Sequence, residues 1–279
     1  MMFPRLGIGL GLRPPHYPRV TGAPCPGVDW FEVISENFMI AGGNPRRVLA
    51  QVRESYPVVL HGVSLSIGSV DPLDERYLDD LVALCRDVEP ALVSDHLCWS
   101  SLGGHTVHDL WPMPYTEESL DHVVARVGHV QERLRRRILL ENPSSYAVFS
   151  ASDLGEAEFL AEVARRADCG ILLDVNNVWV SCQNNRWDPH AYLAALPAER
   201  VGQIHLAGHS VEGDLLIDTH DHAVCDPVWE LYRETIARLG PVSTLLERDD
   251  HIPPFDELAA EAQRARAIVE EVGRAQLAG

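Results

Sequence analysis

The sequence predicts an α/β protein that folds as a single (β/α)8 barrel over residues 1–279. A chain of 279 residues suits this fold, because barrels of this kind commonly run to about 250 residues as one domain. Short apolar segments alternate with longer amphipathic ones, which indicates parallel strands covered by helices. Eight such units favour closure into a barrel, and an open doubly wound sheet is the alternative.

The predicted strands are short runs rich in Val, Ile and Leu, at residues 6–12, 28–34, 57–63, 91–97, 137–142, 170–175, 201–207 and 242–248. The predicted helices are the amphipathic stretches between and after them, at residues 44–54, 74–88, 116–135, 153–167, 188–196, 226–239 and 255–275. Asp188-Pro189 and Asp226-Pro227 each place a capping carboxylate before a proline, which predicts a helix start at both positions.

Composition excludes several classes of protein. Hydrophobic residues make up 46% of the chain and charged residues 23%, as in ordinary globular proteins. The net charge of −18 repels phosphate backbones, so we expect no nucleic-acid partner. No apolar run approaches the roughly 20 residues that span a bilayer, so we expect no membrane segment. Six cysteines without a CxxC pair, and no recognisable signal peptide, predict a cytoplasmic protein with reduced thiols.

Histidines and acids collect at the carboxyl ends of the predicted strands. Strands three to eight end in, or carry near their ends, His61, Asp95-His96, Glu141, Asp174, His205 and Glu247. In a barrel these ends face a single opening, where active sites lie. Crowded carboxylates do not stay ionised without cations, so the sequence predicts a multinuclear metal site. Each residue alone has a simpler explanation, as a core histidine or a helix cap, and the coincidence over six strands is what favours metal.

The side-chain types suggest how the ions are held, because imidazole and carboxylate ligands suit iron, manganese or zinc. Two histidines and a carboxylate match the ligand set of non-haem iron oxygenases, and Glu141 is placed to bridge to a second ion. The first predicted set is His61, His96 and Glu141, and the second is Glu141, Asp174, His205 and Glu247.

A third ion is predicted from the run Asp218-Thr219-His220-Asp221-His222. Asp218 and His220 are two residues apart, so an extended backbone points both to one side, where Asn177 can join them. The alternative for this run is a polar surface turn. We assign Glu141, Asp218 and His220 as the predicted catalytic residues.

Asp95 and His209 are predicted to orient metal ligands through hydrogen bonds. Neighbouring residues of a strand point to opposite faces, so the sequence leaves open whether Asp95 or His96 is the ligand on strand four. Glu32, Glu36 and Asn37 are interpreted as helix-capping residues in preference to substrate contacts. Tryptophans that follow strand ends can line a peptide groove or pack in the core: Trp99, Trp111, Trp179 and Trp187.

Several long motifs resemble those of one enzyme family. These are HGVSLSIGS (61–69), SDHLCWS (94–100), LLENPSSY (139–146), LLDVNNVWVS (172–181), QIHLAGH (203–209), DTHDHAV (218–224) and LLERDDHIP (245–253). They resemble the multinuclear non-haem iron-dependent oxidative enzymes, the family of the iron enzyme of methanobactin biosynthesis. The resemblance extends over nearly the whole chain.

The resemblance implies a barrel that holds two or three iron ions and uses O₂ to oxidise residues, usually cysteines, in a ribosomally synthesised precursor peptide. It also implies a small partner protein that recruits the leader of that peptide, and it assigns the three ligand sets above to three irons. We hypothesise a mixed Fe(II)/Fe(III) state.

Other functions remain open for the same barrel. The metal framework also resembles the trinuclear zinc endonuclease of base-excision repair, but Asn177 stands where that enzyme has a histidine, which disfavours zinc-dependent hydrolysis. A divalent-metal hydrolase or sugar isomerase and a non-catalytic metal-binding protein are the alternatives.

Overall fold

Eight parallel strands form a closed barrel in the computed structural model, which describes residues 3–40 and 42–278. We number the barrel strands β1 to β8: Ile8–Gly11, Trp30–Ile34, Val58–His61, Val93–His96, Leu139–Glu141, Gly170–Asp174, Val201–Leu206 and Ser243–Leu246. They follow one another around the barrel in chain order, and β8 pairs in parallel with β1 to close it. The predicted (β/α)8 fold is therefore confirmed, and the open-sheet alternative is wrong.

Helices connect the strands and pack on their outer faces. The α-helices are Tyr17–Gly22, Gly43–Arg53, Glu75–Val88, Glu117–Leu134, Glu156–Arg166, Val175–Asn185, Pro189–Ala195, Asp226–Leu239 and Phe255–Ala278, and short 3₁₀ helices cover Pro14–His16, Ser35–Phe38 and Ala198–Arg200. Asp188 caps its helix as predicted, by accepting from the backbone N–H of His190. The Asp226 prediction is displaced by one residue, since Cys225 is the cap position and Asp226 already lies in the helix.

The helix Val175–Asn185 was not predicted from the sequence, which placed Val175 at the end of a strand. Its first turn holds valine and asparagine, residues with poor intrinsic helix propensity. Asp174 compensates by capping the helix, because its Oδ1 accepts a hydrogen bond of 2.7 Å from the backbone N–H of Asn177. The helix therefore begins directly where β6 ends.

Two hairpins rise from the loops at the carboxyl ends of the strands, and neither was predicted. One pairs Trp99–Leu102 with His105–Trp111 after β4, and the other pairs Ser210–Glu212 with Leu215–Ile217 after β7. The first hairpin turns at Gly103 and Gly104, whose φ angles of +60° and +76° favour glycine. Both hairpins stand beside the opening of the barrel.

The inside of the barrel changes from apolar to polar along its axis. The amino-terminal end holds one apolar cluster, formed by Trp30, Val59, Leu92, Leu139, Leu172 and Leu245. Phe3 packs beneath it, and a Cβ atom at Gly170 or Gly202 would collide with the Phe3 ring. The carboxyl-terminal half instead buries His61, Glu141 and His205. Burial of such groups requires partners, which makes this half the candidate site.

All six cysteines are unpaired. Within residues 3–40 and 42–278, none of the helices has the length and apolar character needed to cross a bilayer.

Candidate metal centre

The first predicted ligand set is brought together at the ends of β3, β4 and β5. The Nε2 atoms of His61 and His96 lie 3.3 Å and 3.4 Å from Oε2 of Glu141. The opposite nitrogen of each ring has a neutral neighbour: His61 Nδ1 lies 2.8 Å from the Ser94 hydroxyl, and His96 Nδ1 lies 3.2 Å from the Gly62 carbonyl oxygen. Both rings therefore present Nε2 to the same carboxylate oxygen.

Asp95 points away from this group. Its carboxylate accepts hydrogen bonds from the backbone N–H groups of His96 at 2.8 Å and Leu65 at 3.3 Å. Burial and the nearby Glu36 raise the pKa of Asp95 to about 7. The structure thus brings His96, and not Asp95, to His61 and Glu141, and Asp95 reaches His96 only through its backbone.

The second predicted set also converges. One ligand atom from each of Glu141, Asp174, His205 and Glu247 lies within 4.8 Å of the others, and all four residues are buried. His205 Nδ1 is 2.8 Å from Glu247 Oε2 and 3.6 Å from Glu141 Oε1. Glu141 therefore directs one oxygen to each set, which is the arrangement expected of a bridging carboxylate.

His220 lies between two groups of oxygen atoms. Its Nε2 is 2.6 Å from Asp218 Oδ1 and 3.4 Å from Asn177 Oδ1, so the predicted third set is brought together. Its Nδ1 is 3.3 Å from Glu247 Oε2 and 3.5 Å from Asp249 Oδ2. The φ angle of +47° at His220 is unfavourable for a residue with a Cβ, and such strain is common at functional sites.

Sequence reasoning missed Asp249, although it lies in the same motif as Glu247. One ligand atom from each of His220, Glu247 and Asp249 lies within 4.8 Å of the others. Arg13 makes an ion pair with Asp249, and 43% of the Asp249 side chain is exposed. This partly exposed acid therefore lies at the edge of the cluster.

His209 approaches the cluster through an intermediary. Its Nδ1 is 2.7 Å from Oδ1 of Asn176, and Asn176 Nδ2 donates a hydrogen bond of 2.8 Å to Asp218. Asn176 was not predicted, because the helix that places its side chain here was not predicted either. The hydrogen-bond connection from His209 to Asp218 therefore runs through Asn176.

The interpretation of Glu32 as a helix cap is wrong. Glu32 lies within β2, and its carboxylate points into the barrel, 3.2 Å from Nε2 of His205. The side-chain amide of Gln203 donates a hydrogen bond of 2.6 Å to the same carboxylate. The sequence could not indicate this contact, because β2 and β7 are separated by about 170 residues.

Electrostatics within the cluster are dominated by burial and by pairing of opposite charges. Burial raises the pKa of Glu141, but the three surrounding imidazoles outweigh it and lower that pKa to about 2. At Asp174 burial prevails over the attraction of His220 and raises the pKa well above its usual range. Burial lowers the pKa of His205, but carboxylates led by Glu32 outweigh it and raise that pKa well above its usual range. At Glu141 and His205 the opposite charges thus favour the ionised forms, and a bound cation would favour the ionised carboxylates in the same way.

Several buried atoms that face the cluster make no hydrogen bond to any residue that the structure describes. They are Glu141 Oε2, Asp174 Oδ2 and His205 Nδ1, whose 2.8 Å contact with Glu247 Oε2 is an ion-pair contact without hydrogen-bond geometry. Buried polar atoms are almost always paired, so unpaired atoms that share one space call for an explanation. Their donor types, imidazole nitrogen and carboxylate oxygen, fit a first-row divalent metal.

A cleft of about 810 Å³ opens above the cluster. Its floor includes His61, His96, Asn177, Asp218, His220 and Glu247. Its walls include Trp111 of the first hairpin, Tyr146 of the loop after β5 and Ile217 of the second hairpin. Trp111 stacks on Trp99 with ring centroids 5.9 Å apart.

Three of the four tryptophans considered for a peptide groove have packing roles. Trp99, Trp179 and Trp187 pack against the hydrophobic core. Trp111 is the one of the four that lines the cleft, while Trp99 lines a smaller neighbouring cavity of about 320 Å³.

Comparison with known proteins relates the chain to one family of enzymes. Residues 7–270 match the family model described as "RiPP precursor modification enzyme MbnB/TglH/ChrH". A UPF0276 protein of Anaeromyxobacter sp. (strain Fw109-5) is 62% identical over 263 residues, covering 94% of this chain and 93% of that protein. A UPF0276 protein of Caulobacter vibrioides is 54% identical over 261 residues, with coverage of 94% and 93%.

Solved structures of similar fold share little sequence with this chain. Endonuclease IV from Thermus thermophilus is 20% identical with a TM-score of 0.62, covering 96% of this chain and all of that chain. An L-ribulose 3-epimerase is 16% identical with a TM-score of 0.60, covering 94% of this chain and 90% of that chain. At these identities the likeness shows the barrel fold alone.

Proposed function

The chain belongs to the family of RiPP precursor modification enzymes of the MbnB/TglH/ChrH type, and from that premise we propose that it oxidises cysteine residues of a ribosomally made precursor peptide, with iron as cofactor and O₂ as co-substrate. One observation carries the proposal. Buried imidazoles and carboxylates converge below an open cleft, and three of their atoms make no hydrogen bond within the part of the chain that the structure describes. The donor set contains no thiolate, which suits iron in an oxygen-using site.

The ligand sets have a defined arrangement in this proposal. His61, His96 and Glu141 would hold one ion, and Asp174, His205 and Glu247, together with the other oxygen of Glu141, would hold a second. Asp218, Asn177 and Nε2 of His220 would form the third position, whereas Asp249 faces Nδ1 on the opposite side of the His220 ring and would not bind an ion held there. Iron bound at these positions would supply the activation of O₂ and the electron transfer that the oxidation requires.

The remaining side chains bind the peptide and manage protons. Trp111, Tyr146 and Ile217 form walls that can hold an extended peptide above the cluster and exclude water from it. Asp218 and His220 lie on the cleft floor, and each side chain is at least 10% exposed, so they are within reach of the substrate. When the third position holds no ion, the pair of His220 Nε2 and Asp218 Oδ1, 2.6 Å apart, can hold the proton that a cysteine thiol loses on binding.

We extend the proposal to the partner and the compartment. A small leader-binding protein would present the precursor peptide, as the resemblance of the motifs implies. Six unpaired cysteines suit a reducing compartment, which supports a cytoplasmic location.

The proposal is tested by metal analysis and by reaction with a peptide. The protein is purified without oxygen, its metals are identified by elemental mass spectrometry, and 57Fe-loaded samples are examined by Mössbauer spectroscopy. Cysteine-containing precursor peptides encoded near the gene are then added with O₂, and oxygen uptake and peptide mass are followed. We expect at least two irons per chain and a mass change confined to cysteine-containing peptides.

A matched peptide with serine in place of cysteine is the control, and it should remain unchanged. Protein that takes up only zinc and cleaves abasic DNA would instead support the hydrolase alternative. Iron-loaded protein that consumes no O₂ with any such peptide would support a metal-binding protein without catalysis.

A further inference from the structure

His205 is oriented differently from the other two histidines of the cluster. His61 and His96 direct Nε2 towards Glu141, whereas His205 directs Nδ1 towards Glu141 and Glu247. The other ring nitrogen of His205 faces the Glu32 carboxylate across the barrel interior. The structure therefore contains a cause for this reversed orientation on the side of the ring away from the proposed ion.

We propose that Glu32 is a positioning residue that holds the Nε2–H of His205, so that the unprotonated Nδ1 faces the bridged metal position. The inference rests on the proposed role of His205 as a metal ligand. Neutral imidazole carries one N–H, and a hydrogen bond at one nitrogen determines which nitrogen is free to bind a metal. A carboxylate behind a ligating histidine also increases the basicity of that ligand.

The contact is well defined. His205 Nε2 lies 3.2 Å from both oxygens of Glu32, and both side chains are buried. Gln203 lies two residues before His205 on β7, so it points to the same face of the strand. Its amide nitrogen donates to Glu32 at 2.6 Å. The same nitrogen lies 2.8 Å from His205 Nε2, and two N–H groups do not bond to each other, so the proposal requires that both point at the Glu32 carboxylate. A Gln203 N–H directed at His205 Nε2 would mean the opposite tautomer, which the spectra described below detect.

The position of Glu32 in the barrel brings its carboxylate to His205 from a strand that is not a neighbour of β7. Strands β2 and β7 are not neighbours, since β1 and β8 lie between them around the barrel. The contact therefore crosses the interior, just above the apolar cluster that includes Trp30 of the same strand. A buried carboxylate in this place is costly unless hydrogen-bond donors meet it. Gln203 donates to Glu32, and His205 Nε2, 3.2 Å away, also donates to it in the tautomer proposed here.

The three histidines thus differ in what supports them. Ser94 offers His61 a neutral hydroxyl, and Gly62 offers His96 a neutral carbonyl oxygen, while His205 has a carboxylate. The position that includes His205 therefore has the most electron-rich imidazole of the three. We expect Glu32 to strengthen metal binding at that position selectively.

The test is a double-mutant cycle on the full chain with Fe(II) as the probe, using chelator competition without oxygen. Glu32→Gln should weaken one of the bound ions by about 10–100-fold, the range typical of the partners of metal ligands. The same substitution should have no further effect in a His205→Ala background, but it should keep its full effect in a His61→Ala background. Ser94→Ala is the matched control, and its effect should be lost in the His61→Ala background instead.

A second measurement does not depend on a variant. In zinc-loaded wild-type protein, which is diamagnetic, long-range 1H–15N spectra of labelled histidine should show His205 protonated at Nε2 with Nδ1 bound to the metal. Protonation at Nδ1, or a Glu32→Gln effect that persists without His205, would overturn the inference while leaving the proposed function intact. A chain that binds no metal at all would overturn both.

Discussion

Two buried glutamates in this protein illustrate opposite ways of accommodating a carboxyl group. Glu156, at the start of the helix Glu156–Arg166, accepts from the hydroxyls of Tyr192 at 2.8 Å and Tyr115 at 3.3 Å, and from Ser145. Glu141, at the end of β5, faces imidazoles, and its Oε2 makes no hydrogen bond. The comparison teaches that hydroxyl donors satisfy a structural carboxyl group, whereas imidazoles and unpaired oxygens leave room for a cation.

Electrostatics separates the two glutamates in the same way. Burial raises the pKa of Glu156, and its hydroxyl partners only partly offset the effect. At Glu141 the imidazoles outweigh burial and lower the pKa to about 2. Glu141 therefore stays an anion in the barrel interior, which is the form that binds a metal ion.

The largest expected effect is the loss of the bridging carboxylate. Glu141→Gln removes the charge shared by both ligand sets, so binding of each ion should weaken by more than the roughly 100-fold that loss of an outer partner costs. Elemental analysis of the purified variant and chelator competition measure this. A variant that retains two tightly bound ions would contradict the assignment of Glu141 as a ligand shared by both sets.

Leu172→Ala is the matched control for damage to the barrel. Leu172 lies in the apolar cluster below the site, so its truncation should cost about 2–5 kcal/mol of unfolding free energy. Metal content should stay unchanged, since no ligand is removed. If this variant also loses metal, the loss in Glu141→Gln can be attributed to a damaged fold.

A smaller effect is expected from Asp174→Asn. Oδ1 of Asp174 caps the following helix, and the variant can keep that hydrogen bond with its amide oxygen. Oδ2 faces the cluster and makes no hydrogen bond to a described residue, so one ion should bind at least roughly 10-fold more weakly. The ion held by His61 and His96 should be retained, and chelator competition that shows equal weakening of both ions would contradict the assignment.

Glu156→Gln should leave the metal centre intact. It replaces one of the two carboxylate oxygens by an NH2 group, so at least one of the hydroxyls of Tyr115, Tyr192 and Ser145 loses its acceptor, and the free energy of unfolding should fall by about 1–3 kcal/mol. Urea unfolding measures the loss, and metal analysis checks that the ions remain. Loss of metal from this variant would mean that the two glutamates are not independent.

The smallest expected effect is a pH dependence of the difference in unfolding free energy between the wild-type protein and Glu156→Gln. Burial raises the pKa of Glu156 in the folded protein above its ordinary value, so folding favours the protonated carboxyl group. This contribution to stability is fully present below the unfolded-state pKa and is lost as pH rises through the folded-state pKa. The stability advantage of wild-type over Glu156→Gln should therefore shrink from acid to neutral pH, measured by urea unfolding of metal-free protein between about pH 4 and pH 8. An advantage that grows with pH would contradict the assignment.

The barrel and most of the candidate site could be predicted because the sequence patterns that indicate them, apolar runs with polar residues at their ends, lie within short segments. Buried parallel strands are nearly continuous apolar runs, and in a barrel all of their carboxyl ends face one opening. Residues such as His61, Glu141 and His205 at those ends could therefore be expected to meet, and the structure brings them together. No knowledge of the helices or hairpins was needed for that inference.

Other features were not accessible from the sequence. Glu32 lies in the middle of a strand, and its role depends on the side of β2 that faces the interior. The choice between Asp95 and His96 depends on the same alternation of faces along β4. The helix Val175–Asn185 forms because Asp174 caps it and the barrel holds it, against the low helix propensity of its first residues.

The amino-acid sequence by itself determined the class of fold and the chemical types that meet at the barrel opening, because hydrophobic periodicity and residue identity are properties of short segments. Only the tertiary structure decided which oxygen or ring nitrogen each residue presents, that Glu141 stands between two ligand sets, and that Glu32 reaches His205 from the far side of the barrel. The physical reason is that the sheet closes into a barrel. The side chains of distant strands meet only when the sheet closes on itself, and their orientation is set by neighbours that no local segment contains.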